Sequence, residues 1–501
     1  MNAAVGNPGI LQKTGGGMTA AFYAVFLFLF TFLTLGILFG SIGYSYNHFL
    51  LFALVFLFAA ASFALFRIIR MHAETLVKYE RLILLLVLSL LFLIQMYLGF
   101  RLRFASAFDF ASVYRGAVQW AETGTFSDYY EYYHYFPNNL GAMTLLFLFF
   151  KAAGLFGITD YFMLGVLLNA VLISLTVLTA YAAAQKLAGP SGGVVCLFFF
   201  LTAPPFYILA AAFYTDSLSM LFPVLFYNLY LRLRQERRED QNRRRLLFVA
   251  MLAVITLGAM IKFTVMIMAV AVILDLVLSG RLRQACLTAA GICACFLILQ
   301  VSFTSYLYRY HLDREQAARM NTPLMHWVMM GLNASSRGAY HPDDYTFTRS
   351  FSDPEERNDA ILEVIGERIQ EQGFDGLTRL FSEKIIKAFG DGTYAISDFL
   401  DDGPEERGTL HEYVLYDGKY YSRYKYLTQT ALLGCYLFVL AGAAKALRKR
   451  DWSVRAPYLA VFGLILFLAV WESSSRYFLN FIPVLFLCAA YGGASERVKY
   501  L

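Results

Sequence analysis

Charge is scarce in this chain. Only 16% of its 501 residues are Asp, Glu, Lys or Arg, against 58% hydrophobic. A soluble enzyme of that length would need far more charged surface. Cysteine is scarce too. Cys196, Cys286, Cys293, Cys295, Cys435 and Cys488 all fall inside apolar runs, so no disulfide framework or zinc-binding spacing is present, and they read as small core residues. There is no short-period repeat, no low-complexity tract and no inverted repeat of the kind secondary transporters carry. No cleaved leader is evident, because the first apolar run is too long and its flank "GNPGILQKTGGG" holds one Lys and no convincing cleavage site. The net charge of +6 does not point to nucleic acid, since the basic residues gather in short loops between apolar runs, as membrane topology demands.

Long uncharged runs are what the chain does have. "FYAVFLFLFTFLTLGILFG" and "LILLLVLSLLFLIQMYLGF" are each about 20 residues, the length a helix needs to cross roughly 30 Å of hydrocarbon. Many such runs recur, and the expected fold is an all-α polytopic membrane protein. The basic loops around 67–81, Arg232 to Arg245, "GRLRQ" and "KALRKRDWSVR" belong in the cytoplasm. Fixing them there predicts crossings near 18–43, 49–69, 82–100, 138–156, 160–186, 190–203, 205–213, 216–232, 246–262, 264–279, 286–305, 428–447, 456–473 and 477–495. The split at Pro204-Pro205 is needed for parity. The total is about 14 helices with both termini cytoplasmic, extracytoplasmic juxtamembrane helices and a mostly helical outer loop. The expected organisation is an N-terminal hairpin and basic loop (1–81), a transmembrane core (82–305) with a first outer loop (101–137), an extracytoplasmic loop domain (306–427) and C-terminal helices (428–501).

That arrangement brings Asp109, Asp128, Glu131, Asp216, Lys262, Glu472 and Arg476 to one outer face. Ionisable groups near membrane depth are costly and mark sites. Carboxylates beside cations at a membrane surface suit transfer of a sugar from a lipid phosphate to a hydroxyl. One carboxylate takes the proton of the attacking hydroxyl, and cations hold the phosphate as charge develops on it. Tyr and Trp near the base supply platforms for a sugar ring.

Several motifs carry a family resemblance: "FDFASVYRGA" after the outward span, "YYHYFPNNLG" leading to the next run, "YTD", the Lys of "MIKFT" and "ESSSRYFLNFIPVLF". In that order the chain resembles the C-type membrane glycosyltransferases, the group of protein O-mannosyltransferases and the lipid A aminoarabinose transferase, and most of all uncharacterised Gram-positive bacterial members. The resemblance covers roughly 82–495. It implies a polyprenyl-phosphate sugar donor, inversion at the anomeric carbon and Asp109 as catalytic base. Protein O-mannosyltransferases carry an Asp-Glu pair where Asp109 is followed by Phe110, so any second acid comes from Asp128, Glu131 or Asp216. Lys262 and Arg476 are the candidate phosphate holders. Tyr114, Arg115, Glu131, His134, Asn138, Tyr214, Asp216, Glu472 and Tyr477 complete the candidate substrate-binding set. No cofactor follows, and the outer carboxylates leave a divalent metal open. The expected partners are the lipid-linked donor, membrane lipids and a glycan, lipid or protein acceptor, with no nucleic acid.

Plainer readings stand beside these. Asp109 can cap the helix "FASVYRGAVQWAE", and Arg115 can form a surface pair on it. Glu472 and Arg476 have the spacing of a helix salt bridge, Lys262 can snorkel to headgroups, Asp216 can cap a span, and "YYEYYHY" can be an interfacial belt. "YHPDDY" (Tyr340 to Tyr345) reads as a turn rather than a metal site, and 353–392 reads as two helices over the membrane face, a lid or acceptor platform. The competing functions are a polymerase or ligase of lipid-linked glycans, and a transporter or flippase, which would need polar groups along a midplane path.

Overall fold

The computed structural model describes residues 10–40, 42, 45–237, 239–400 and 407–494. The expectations for the two extreme termini lie outside them. Among the described residues every regular element is a helix, and nine helices are long and apolar enough to span a membrane, or ten with the bent pair Pro205–Ala211 and Thr215–Gln235. The helix His48–Met71 shows why such runs settle. Asn47 caps it by accepting from Leu50 N. Leu51, Val55, Ser62, Phe66 and Ile69 make the buried stripe, while Phe49, Phe52, Phe56 and Phe63 point away from the protein. In lipid that outward face costs nothing, and the backbone is satisfied within the helix.

The helix Tyr161–Thr202 is two arms. Ala188 and Gly189 leave helical geometry, and Gly189 takes φ 73°, a conformation glycine adopts without steric penalty. The arms fold back so tightly that a Cβ on Gly193 would lie 2.7 Å from the Tyr181 ring. The first arm packs antiparallel on Ala73–Arg101, where Val166 seats against the missing side chain of Gly99.

Two of the expected crossings are not crossings. The run at 138–156 forms the helix Leu140–Gly154, about 22 Å long at 1.5 Å per residue. It lies beside Phe108–Thr123. Phe147 stacks on Trp120 at 4.0 Å, and Lys151 donates to Ala121 O at 2.9 Å. Immediately after it, Asp160 pairs with Arg103 at 2.5 Å, so the chain has returned to the end where Ala73–Arg101 finished. The run at 205–213 is a four-residue helix Pro205–Ile208 and a single 3-10 turn Leu209–Ala211, too short to cross. It is tied to neighbouring helices by Gln95 Nε2 to Phe206 O (2.7 Å) and Asn169 Nδ2 to Leu209 O (2.9 Å). The bent pair taken as one span, Tyr161–Thr202 as two arms and the short apolar helix Phe263–Leu278 as one give twelve segments among the described residues, where about 14 were expected. The two losses cancel, so the parity that Pro204-Pro205 was invoked to repair still holds.

At one end of the bundle a buried ionic knot ties four helices. Arg455 donates to Asp275 Oδ1 (2.9 Å), Asp275 O (2.7 Å), Ser279 Oγ (2.6 Å) and Thr19 Oγ1 (2.7 Å). Tyr230 and Arg234 reach the other carboxylate oxygen at 2.5 and 3.3 Å. At the opposite end lies a helical layer made by residues 311–400 and 407–420. Its long helix Pro354–Phe389 is capped by Asp353, which accepts from Glu355 N and Glu356 N, and breaks at Gly373, giving the expected two helices. Arg368 holds Asp344 with two bonds, at 2.6 and 3.1 Å, so the carboxylate of "YHPDDY" serves a clasp.

Candidate active site

The helix Phe108–Thr123 begins without a side-chain cap, since its N-cap is Ala107. Asp109 therefore does not cap. Its Oδ1 accepts from Tyr132 OH at 2.9 Å. The Tyr132 oxygen accepts from Asn139 Nδ2 at 2.6 Å, and Asn139 Oδ1 accepts a long 3.5 Å bond from Tyr214 OH. Burial, and then the charge of Asp109, hold the Tyr132 phenol well above its ordinary pKa, so Tyr132 remains a donor.

Beyond Tyr214 stand the cations. Arg476 lies 5.6 Å from the Tyr214 and Phe399 rings and 5.1 Å from that of Tyr477. Its one side-chain hydrogen bond among the described residues is a 3.5 Å contact with Tyr477 OH, with no carboxylate at ion-pair distance. Asp109 and Asp216 are within its electrostatic reach. Lys262 pairs with Asp216 Oδ1 and sits 4.6 Å over the Tyr477 ring. Burial pushes the Lys262 ammonium down against the pull of Asp216. The second oxygen of Asp216, Oδ2, is buried and has no hydrogen-bond partner among the described residues. Glu472 accepts from Tyr477 OH at 2.6 Å. Burial raises the Glu472 carboxyl, offset by that bond and by Arg476.

Local geometry explains the convergence. Lys262 ends the helix Gln241–Ile261 in extended backbone. Gly141 sits so close to that end that a Cβ there would be 1.8 Å from Met260 O, which seats the turn Pro137–Asn139 against this helix. The strap 471–475 is pinned by the outer layer: Glu472 N donates to Trp327 O (2.9 Å), Ser473 N to Gly338 O (2.7 Å) and Ser475 Oγ to Asp391 Oδ2 (2.8 Å). Lys384, fully buried, donates to Gly331 O, Ala469 O and Trp471 O at 2.6, 2.8 and 3.0 Å. These are the three acceptors an ammonium needs, and they hold its charge against the burial that pushes its pKa down to about 7. Lys384→Met leaves three carbonyls without that donor, at about 1–3 kcal/mol each where no water replaces it. A lowered thermal midpoint in detergent is expected. An unchanged midpoint would show that the strap is held without Lys384.

The structure brings Asp109, Tyr214, Asp216, Lys262, Glu472, Arg476 and Tyr477 together. It leaves others apart. Tyr114 packs among Phe150, Phe162 and Phe213. Arg115 donates to Ser106 O. Glu131 is exposed and pairs with Arg349. His134 is buried, its Nε2 without a partner among the described residues. Asp128 is exposed, and its N–H donates to Gln119 Oε1. Asn138 is exposed and reaches the network only through Asn139. Tyr132, Asn139 and Lys384 join without having been singled out. No group of three or more His, Cys, Asp and Glu suited to a metal ion occurs among the described residues.

Over residues 15–495 the chain matches the family model described as "Conserved hypothetical integral membrane protein". No curated protein matches it by sequence. Among solved structures it is similar to the archaeal oligosaccharyltransferase AglB from Archaeoglobus fulgidus in complex with an inhibitory peptide and a dolichol-phosphate. The TM-score is 0.39 and the identity 14%, over 83% of this chain and 50% of that one. It is also similar to the Archaeoglobus fulgidus oligosaccharyltransferase tethered with an acceptor peptide containing the NVT sequon, with a TM-score of 0.33 and 12% identity over 84% and 56%. The chain spans about half the length of these structures.

Proposed function

The chain belongs to this family of integral membrane proteins, and from that premise we propose that it is an inverting membrane glycosyltransferase. It moves a sugar from a polyprenyl-phosphate donor to an acceptor hydroxyl. Asp109 is the general base. Tyr132 occupies one of its oxygens and fixes the carboxylate, leaving the other to take the acceptor's proton as the acceptor oxygen bonds to the anomeric carbon. The bond from that carbon to the phosphate oxygen breaks, and the electron pair leaves with the polyprenyl phosphate. Attack opposite the leaving group inverts the centre. Arg476 and Lys262 hold the phosphate as its charge grows, Arg through a planar fork and Lys as a point charge.

One observation carries the reading. Arg476 is a partly buried guanidinium walled by three rings and lacking a carboxylate partner among the described residues, beside a second cation and within reach of a base held by one hydrogen bond. A charge so placed calls for an anion. A transporter would need polar groups along the bundle, whereas the charged network here and the Asp275–Arg455 knot lie at opposite ends. On this reading the site faces outward, both termini are cytoplasmic, and the layer within 306–427 is part of the site's wall. The test is to incubate the purified protein with a panel of polyprenyl-phosphate sugars and follow release of polyprenyl phosphate. Release from at least one donor is expected, and inertness toward all of them would overturn the reading.

A further inference from the structure

A row of aromatic side chains leads from Asp109 toward solvent. It starts at Tyr132, whose ring lies 5.3 Å from Phe136. Phe136 is nearly parallel to Tyr345, at 6.3 Å and 14°, and Trp327 flanks it at 6.3 Å. Tyr345 neighbours Tyr340 at 6.2 Å. The row is built by two distant segments, 130–136 and 327–345, and Arg349 bolts them together. Its guanidinium lies 3.7 Å from the Tyr135 ring and bonds Tyr345 OH at 2.5 Å and Glu131 at 3.3 Å. The row ends in the open, with Tyr340 55% exposed and its phenol within electrostatic reach of both Asp109 and Glu472.

We propose that this row is the acceptor subsite and that the acceptor is a carbohydrate. The assignment of a reaction there rests on the transferase reading; the binding chemistry does not. A pyranose offers a face of C–H groups to the negative face of an aromatic ring. It also offers edge hydroxyls to a carboxylate or guanidinium such as Glu131 and Arg349. Successive rings at 5–6 Å spacing accept more than one sugar, and the inner end delivers the last hydroxyl to Asp109. A lipid acceptor would need an apolar groove running down between the spans, whereas this row runs through the outer layer with charged groups in it. A peptide added as a strand would need a free sheet edge, and these segments are helices and turns.

The test uses the full-length protein in lipid nanodiscs with maltohexaose, cellohexaose and chitohexaose, and a Ser/Thr-containing decapeptide as comparison, read by saturation-transfer NMR without donor. Binding of at least one hexasaccharide is expected. Tyr340→Ala should weaken it about fivefold to tenfold while Tyr340→Phe keeps it, because the ring face and not the hydroxyl makes the contact. No binding of any hexasaccharide, binding of the peptide instead, or binding indifferent to Tyr340→Ala would overturn the inference. The two readings fail separately. Glycan binding by a protein inert toward every lipid-linked donor would remove the transferase and leave the glycan subsite. Donor turnover without glycan binding would do the reverse.

Discussion

Asp109→Asn is expected to lower turnover of the polyprenyl-phosphate sugar by about 10²–10⁴-fold, the usual contribution of a positioned general base. The amide keeps the shape of the carboxylate and can still accept from Tyr132 OH, which now bonds Asp109 at 2.9 Å. Folding should therefore be preserved, and the thermal midpoint should match that of the wild-type protein. What the amide cannot do is take a proton. Tyr132→Phe should cost less, because it frees the carboxylate to rotate without removing the base. Stopped assays of donor consumption under saturating donor decide the matter. Turnover undiminished in a folded Asp109→Asn variant would remove Asp109 as base and leave the other carboxylates to be tried.

Arg455→Met is expected to destabilise the protein by about 3–5 kcal/mol, the cost of stranding one partner of a buried pair. Asp275 is 1% exposed and would retain only Tyr230 and the more distant Arg234, while Thr19 and Ser279 would lose a donor. The knot lies far from the charged site, so the loss should appear as a lowered unfolding midpoint in detergent with little change in activity at low temperature. The double variant Asp275→Leu, Arg455→Met removes both charges together, and its loss should be smaller than the sum of the two single losses. Strict additivity would mean that the pair does not couple.

Much of the candidate site's convergence was readable from the sequence because membrane proteins leave few charges in awkward places. Asp216, Lys262, Glu472 and Arg476 stand at the ends of apolar runs, and the structure brings them to one place. Finer choices were not readable. Six tyrosines crowd 129–135 and 214, and nothing in their order says that Tyr132 is the one that meets Asp109. Asn138 and Asn139 are adjacent in the short turn Pro137–Asn139, and which of them points inward depends on how Gly141 docks against Met260. Lys384 sits on a helix whose neighbours include Glu and Arg, so it reads as a solvated position; its three acceptors come from segments more than 50 residues away. The helix count failed for a related reason. Leu140–Gly154 is as greasy as a true span, and the facts that keep it on one side, the Arg103–Asp160 pair and the Lys151 bond to Ala121, join parts of the chain that hydropathy treats separately.

The pinning of the strap 471–475 has an evolutionary and engineering consequence. Its backbone is bonded to Trp327 and Gly338, its serine to Asp391 and its preceding turn to Lys384. Arg476, at the end of that strap, is therefore aligned by the soluble-looking portion of the molecule. A chimaera that grafts the 311–420 layer from a relative onto these spans would import foreign register into that alignment. Such exchanges should work only when 471–477 travels with the layer, so the two must diversify as one inherited unit.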